Sequence, residues 1–286
     1  MMRVLPLAFG ALLLAAPLAA QTCKPGKSSH EADLFGHFSV PLAFSAGQAP
    51  WLYAPGAILV SLEGTYLPDA SDRIATPTYC RPDKNRPENV NILSAYPRPR
   101  IAFALPNGVL LEASWTPPVR INTVKPNLWS FAVSRTVPVN KHGTMFMGRA
   151  HATIGHMHAP FTCSEKAVKD PANSVCFGGE VSDDRYSPNI FGVELALGWA
   201  WAHGRIRPYI GGGYNILHPR FQVNFTKSGT LDDQKVQVNL SRFVASGGVT
   251  LVPTQRFSVS AEAYTAPSDL ITGRLRATLI MGGPRR

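Results

Sequence analysis

Over residues 189–215 apolar and polar positions alternate with a period of two. Phe191, Val193, Leu195, Leu197, Trp199 and Trp201 fall on one side of the first run, with Gly192, Glu194, Ala196 and Gly198 on the other. After a His203-Gly204 turn, the return run sets Ile206, Pro208, Ile210, Gly212 and Tyr214 against Arg205, Arg207, Tyr209 and Asn215. This alternation marks strands with one apolar face. Each arm is roughly 11 residues, about what a tilted strand needs to cross a bilayer, and aromatics stand near the arm ends. The pattern predicts a membrane-crossing hairpin that is apolar outside.

The same period predicts strands over 57–66, 100–105, 109–115, 128–137, 145–156, 238–251, 257–264 and 271–281, which with the hairpin make ten. Pro106-Asn107-Gly108 supplies the positive φ angles of a tight hairpin. The phase in 238–251 slips near Arg242-Phe243, which predicts a β-bulge there. Residues 31–39 are expected to form a short helix, with Pro41, Pro50 and Pro55 breaking the segment after it. Links after strands two, four, six and eight are tight (Asn107-Gly108, Lys141-His142-Gly143, His203-Gly204, Pro253-Thr254-Gln255), whereas most others, including 67–99, 158–188 and 218–235, are long. Short turns on one side, long loops on the other, and both termini on the short-turn side give the expected fold class: an all-β, antiparallel up-and-down transmembrane β-barrel of about ten strands.

Composition then sets boundaries. Residues 1–20 read as a secretory signal, with Arg3, an apolar run and Leu18-Ala19-Ala20 as the cleavage site. Residues 21–55 form an N-terminal periplasmic lead-in or plug segment, and 56–286 the barrel. No later stretch supplies 18 uncharged apolar residues for a membrane helix. A net charge of +10 would suit nucleic acid, but an exported chain seldom meets it. Outer-membrane lipid and lipopolysaccharide headgroups are the partners expected of the surplus Arg and Lys. Four cysteines fit an oxidising compartment. Cys163 and Cys176 share one loop and are paired, leaving Cys23 with Cys80. That second pair joins segments on opposite sides of the membrane. Either the N-terminal segment threads through or over the lumen, or the pairing differs.

With the motif Arg205-Ile-Arg-Pro-Tyr-Ile-Gly-Gly-Gly-Tyr-Asn215 in view, the chain resembles the small bacterial outer-membrane β-barrel proteins over most of 57–281. The resemblance implies a monomer in the bacterial outer membrane and transfers no active site. The chain departs from the pattern at its end, Met281-Gly-Gly-Pro-Arg-Arg286, where many members carry an aromatic residue.

Projected inward, the alternation gives a lumen ion cluster of Glu63, Glu112, Arg149, Glu194, Arg207, Glu262, Arg274 and Arg276, with Arg100 beside them. Glu112, Arg149, Glu194 and Arg274 fall near mid-depth. Side chains fill a barrel this narrow, so buried charges must pair. The expectation is a structural or surface-interaction barrel with an ion-paired lumen. A narrow porin-like channel for small solutes is the alternative. Asp69, Asp72, Asp183, Asp184, His156 and His158 near the outer mouth would serve a rim hydrolase, but no spacing sets a base against an orienting carboxylate. His151, His156 and His158 do not make a metal motif. No catalytic residue, cofactor or metal is expected. Gly211-Gly212-Gly213 sits in a strand pattern and reads as space for a lumen side chain or Tyr209. A soluble secreted barrel would reverse the projection, with apolar residues inside.

Overall fold

The computed structural model describes residues 22–81 and 87–282. The signal-peptide reading of 1–20 lies outside them. The alternating runs form ten strands: β1 (Ile58–Tyr66), β2 (Ala95–Ala104), β3 (Val109–Thr116), β4 (Lys125–Pro138), β5 (Met145–Ala159), β6 (Ile190–Gly198), β7 (Ile206–Leu217), β8 (Leu240–Thr254), β9 (Phe257–Ala266) and β10 (Leu270–Met281). Each pairs antiparallel with its sequence neighbours, and β10 closes on β1 with Arg276 opposite Glu63. Among the described residues no helix is long and apolar enough to cross a membrane. Closure leaves the barrel wall without a free edge along most of its height.

Tight turns cluster at one end. Asn107 and Gly108 take φ of 61° and 73°, and His203 and Gly204 take 57° and 79°. At Gly108 a Cβ would stand 2.1 Å from the carbonyl oxygen of Thr136, so only glycine fits.

Apolar side chains cover the outside. Val60, Leu62, Ile101, Val133, Val193, Leu195 and Leu275 are all exposed. Trp115 stacks on Trp129 at 5.3 Å and Tyr214 meets Phe243 at 5.1 Å near the long-loop end, with Trp201 and Phe257 at the other. An apolar band between aromatic rims is what lipid requires, and it is the reverse of a soluble barrel.

Two strand expectations are corrected. β2 begins at Ala95, not Arg100, and takes in Pro97 and Pro99. Residues 95–99 pair with β1, but the pairing with β3 starts only at Arg100, so the missing N–H groups fall on a local edge. β8 carries no bulge at Arg242-Phe243: its register against β7 runs unbroken from Leu240↔Leu217 to Leu251↔Ile206. The irregularity lies against β9, between Leu251 and Thr254. The apparent slip comes from Leu240 and Val244, apolar residues that point inward because a helix packs there.

That helix is α1 (His30–Leu42), capped by Ser29 Oγ, which accepts from Ala32 N at 3.1 Å. Ala32, Phe35 and Val40 pack against inward Tyr96, Leu128, Ile190, Leu217 and Tyr264 at the long-loop end of the barrel. The chain then descends through the lumen to a second apolar layer at the tight-turn end, where Tyr53 packs against Ala57, Leu59, Ala102, Ala104 and Leu110. Above the barrel, β5 continues into a small sheet. Its end pairs with Asp184–Ser187, which pairs with Arg220–Gln222, then Lys235–Gln237, then Thr22–Cys23. Disulfides join Cys23 to Cys80 and Cys163 to Cys176. The expectation of both termini on the tight-turn side is therefore wrong for the N-terminal end. Cys23 sits among the long loops, and the segment threads through the lumen.

Candidate functional site

Five arginines project inward from the wall: Arg98 and Arg100 on β2, Arg149 on β5, and Arg274 and Arg276 on β10, each at most 4% exposed. They meet the last turn of α1 and the residues after it. A helix C-terminus leaves carbonyls without partners and carries the negative end of the helix dipole, so cations suit it. Arg274 Nη2 donates to Val40 and Pro41 O at 3.2 and 3.4 Å. Arg98 donates to Leu42 O at 2.7 Å and Ala43 O at 3.2 Å. Arg149 holds Phe44 O, Arg100 holds Ser45 O at 2.9 Å, and Arg276 holds Ala46 O at 2.7 Å. Seven successive carbonyls are thus bound by the wall. The Phe44 ring fills the centre, 4.0 Å from the Arg100 guanidinium and 5.0 Å from that of Arg149.

Four glutamates from β1, β3, β6 and β9 balance most of this charge. Glu63 pairs with Arg98 at 3.4 Å and with Arg100. Glu112 is 2.9 Å from Arg100, 3.2 Å from Arg149 and 3.5 Å from Arg276. Glu194 is 3.5 Å from Arg149 and from His151 Nε2. Glu262 pairs with Arg274 at 3.3 Å and accepts from Ser45 Oγ at 2.6 Å and Tyr209 OH at 3.0 Å. Ala49 N donates to Thr250 Oγ1 at 2.8 Å, tying the segment to β8. Burying charge costs several kcal/mol per ion unless pairing and hydrogen bonds offset it, and here the plugging segment supplies acceptors that the glutamates do not.

Of the residues projected inward, the structure brings Glu63, Arg100, Glu112, Arg149, Glu194, Glu262, Arg274 and Arg276 into one network. Arg207 lies apart, stacked on Trp51 at 3.4 Å with Nε donating to Gly204 O at 2.8 Å. Sequence reasoning missed Arg98, because Pro97 and Pro99 mask its strand, and missed Phe44 and Ser45, which belong to no periodic run. Gly213 makes room for Glu194, whose Cγ would lie 3.0 Å from an added Cβ. Space for the Tyr209 ring comes from Gly248 on the neighbouring strand.

The rim residues do not form one centre. His156 and His158 share the outer face with rings 5.3 Å apart, whereas His151 points into the lumen. His158 Nδ1 lies 3.2 Å from Asp183, and His156 Nδ1 accepts from Arg185 at 3.2 Å. Asp184 is buried and organises the loops: it accepts from Thr162 N at 2.6 Å, Asn224 N at 2.9 Å and Ser182 Oγ at 2.8 Å. Burial nonetheless leaves its pKa raised, these donors opposing it. Asp69 and Asp72 stand separately in the loop after β1. Among the described residues, no three His, Cys, Asp or Glu side chains gather as metal ligands would.

An apolar outer wall, a charged interior and tight turns confined to one end define a transmembrane β-barrel of the bacterial outer-membrane type. The sequence matches no protein-family model and no curated protein. Among solved structures, the chain is similar to the attachment invasion locus protein Ail of Yersinia pestis, at 9% identity over 79% of this chain and 99% of that one, with a TM-score of 0.34. It is similar also to the N-terminal β-barrel domain of Pseudomonas aeruginosa OprF (8% identity, 80% and 100% covered, TM-score 0.30) and to Acinetobacter baumannii outer membrane protein Omp33 (10%, 79% and 98%, 0.29). These likenesses are distant, and the assignment rests on the wall and interior of this barrel.

Proposed function

We propose that this protein is a self-plugged outer-membrane barrel with a structural or surface-interaction role, its lumen closed by residues 30–55 and its disulfide-bearing loops facing outward. The observation that carries the reading is the run of carbonyls from Val40 to Ala46, each bound by an arginine of the wall. A passage for solutes would need free donors and acceptors along its lining, and here the chain's own backbone takes them. The His158–Asp183 pair is open to solvent at the rim and is assigned no catalytic part. Outer-leaflet lipid is the neighbour that the wall and the basic balance of the chain suit.

Planar-bilayer recording tests this. The purified, intact protein is expected to stay electrically silent. Ohmic single-channel steps, altered by Glu112→Gln or Arg149→Gln, would overturn the plug reading in favour of a narrow channel.

A further inference from the structure

The register of the loop-side sheet gathers three cations, Lys125, Arg185 and Lys235, that lie far apart in sequence. Lys125, His158, Arg185, Gln222 and Lys235 stand directly opposite one another across five successive strands. Directly opposed residues share a face. The residues between them, Met157, Tyr186 and Val236, are buried against α1, so this row faces outward. On the same face His156 lies two residues along β5, and Arg220 lies two residues before Gln222. Five strands at sheet spacing make the row about 19 Å wide.

Its depth is set by the aromatic rim. Trp129, stacked on Trp115, points out four residues before the end of the same strand at Lys125, about 13 Å along it. Stacked indoles settle at the level of lipid headgroups, and cations just above them meet headgroup phosphates. Asp183, close to His158, is an acidic side chain in contact with this surface.

We propose that the outward face formed by Lys125, His156, His158, Arg185, Arg220 and Lys235 is a docking surface for a phosphorylated glycolipid of the outer leaflet. The width favours a headgroup with more than one phosphate, held at two points of the row, over a single phosphodiester. The proposal rests on the outer-membrane reading above.

The test uses the intact protein in zwitterionic phospholipid vesicles carrying a minor share of a diphosphorylated disaccharide glycolipid, its dephosphorylated form, or phosphatidylglycerol. Bound lipid is counted by native mass spectrometry, and affinity is read from indole fluorescence. Wild type is expected to retain the diphosphorylated lipid over both others and to lose it with added salt. The triple variant Lys125→Gln/Arg185→Gln/Lys235→Gln should bind roughly a hundredfold more weakly, about fivefold for each surface cation removed. Lys141→Gln, at the opposite end, should change nothing. Heat-modified gel migration checks that each variant folds. Equal binding of the dephosphorylated lipid or of phosphatidylglycerol, or wild-type affinity in the folded triple variant, overturns the proposal. Conductance of the same preparations separates the two readings: steps in wild type sink the plug and leave the lipid result standing, while silence with lost selectivity sinks only the lipid site.

Discussion

At the scale of single residues, Glu112 is the carboxylate on which the wall's cations converge, within 3.5 Å of Arg100, Arg149 and Arg276. Neutralising it leaves the buried Arg276 without its paired carboxylate, and Arg100 and Arg149 with only Glu63 and Glu194. Glu112→Gln is expected to lower stability by about 3–5 kcal/mol, seen as a lower urea midpoint for loss of the compact gel band. Arg207→Gln, outside the network, removes one cation–π stack and one hydrogen bond to Gly204 O and should cost only about 1–2 kcal/mol. Glu31 makes a different prediction. Burial pushes its carboxyl up, but the N–H groups of Cys80, Tyr79 and Thr78 outweigh burial and leave the pKa below 4.5. A lowered folded-state pKa contributes stability above the unfolded value and loses it as pH falls through the folded one. Protection of the 78–80 amides, corrected for intrinsic exchange, should fall on acidification in wild type and lose that dependence in Glu31→Gln. A parallel decline in both would disprove the anchor. The inward placement of Glu63, Glu112 and Glu262 is legible from period-two alternation alone. That of Arg98 is not, because two prolines look like a loop when the partner strand that tolerates them is unknown.

Among the elements, α1 is the one whose neighbours leave a trace in the barrel's own sequence. Leu240 and Val244 face inward in a strand whose later apolar residues, Val249 and Leu251, belong to the outward face, and the two apolar phases together imitate a bulge. Reading them correctly requires a helix inside the barrel, and nothing in 238–251 announces one. The same element depends on the Cys23–Cys80 bond, which spans 57 residues and fixes the start of the plug to the loop after β1. Removing it frees the segment upstream of α1 while the arginine contacts remain. The double variant Cys23→Ser/Cys80→Ser is expected to lose about 2–4 kcal/mol and to show brief conductance openings where wild type is silent. Openings should favour anions, because an emptied lumen exposes five arginines against four glutamates. Continued silence with an unchanged urea midpoint would show that the arginine cradle holds the plug unaided.

For the molecule as a whole, the consequence of threading is that the two ends of the described chain lie on opposite sides of the membrane. The barrel's direction is legible in the sequence, since tight turns with Asn-Gly or His-Gly need no tertiary knowledge to recognise. The path of residues 43–56 is not, because an irregular segment held by side chains of the wall has no local period, although the helix before it is legible. The one sequence hint is the pairing of Cys23 with Cys80, which is impossible for a segment that stays on the tight-turn side. An epitope inserted after Gly26, an exposed position with no heavy atom within 4 Å of an added Cβ, should therefore bind antibody on intact cells. An epitope after Gly282, beyond β10 at the tight-turn end, should bind only once the outer membrane is permeabilised. If the first epitope also needs permeabilisation, the segment has not passed through the lumen, and the arginine cradle must be filled in some other way.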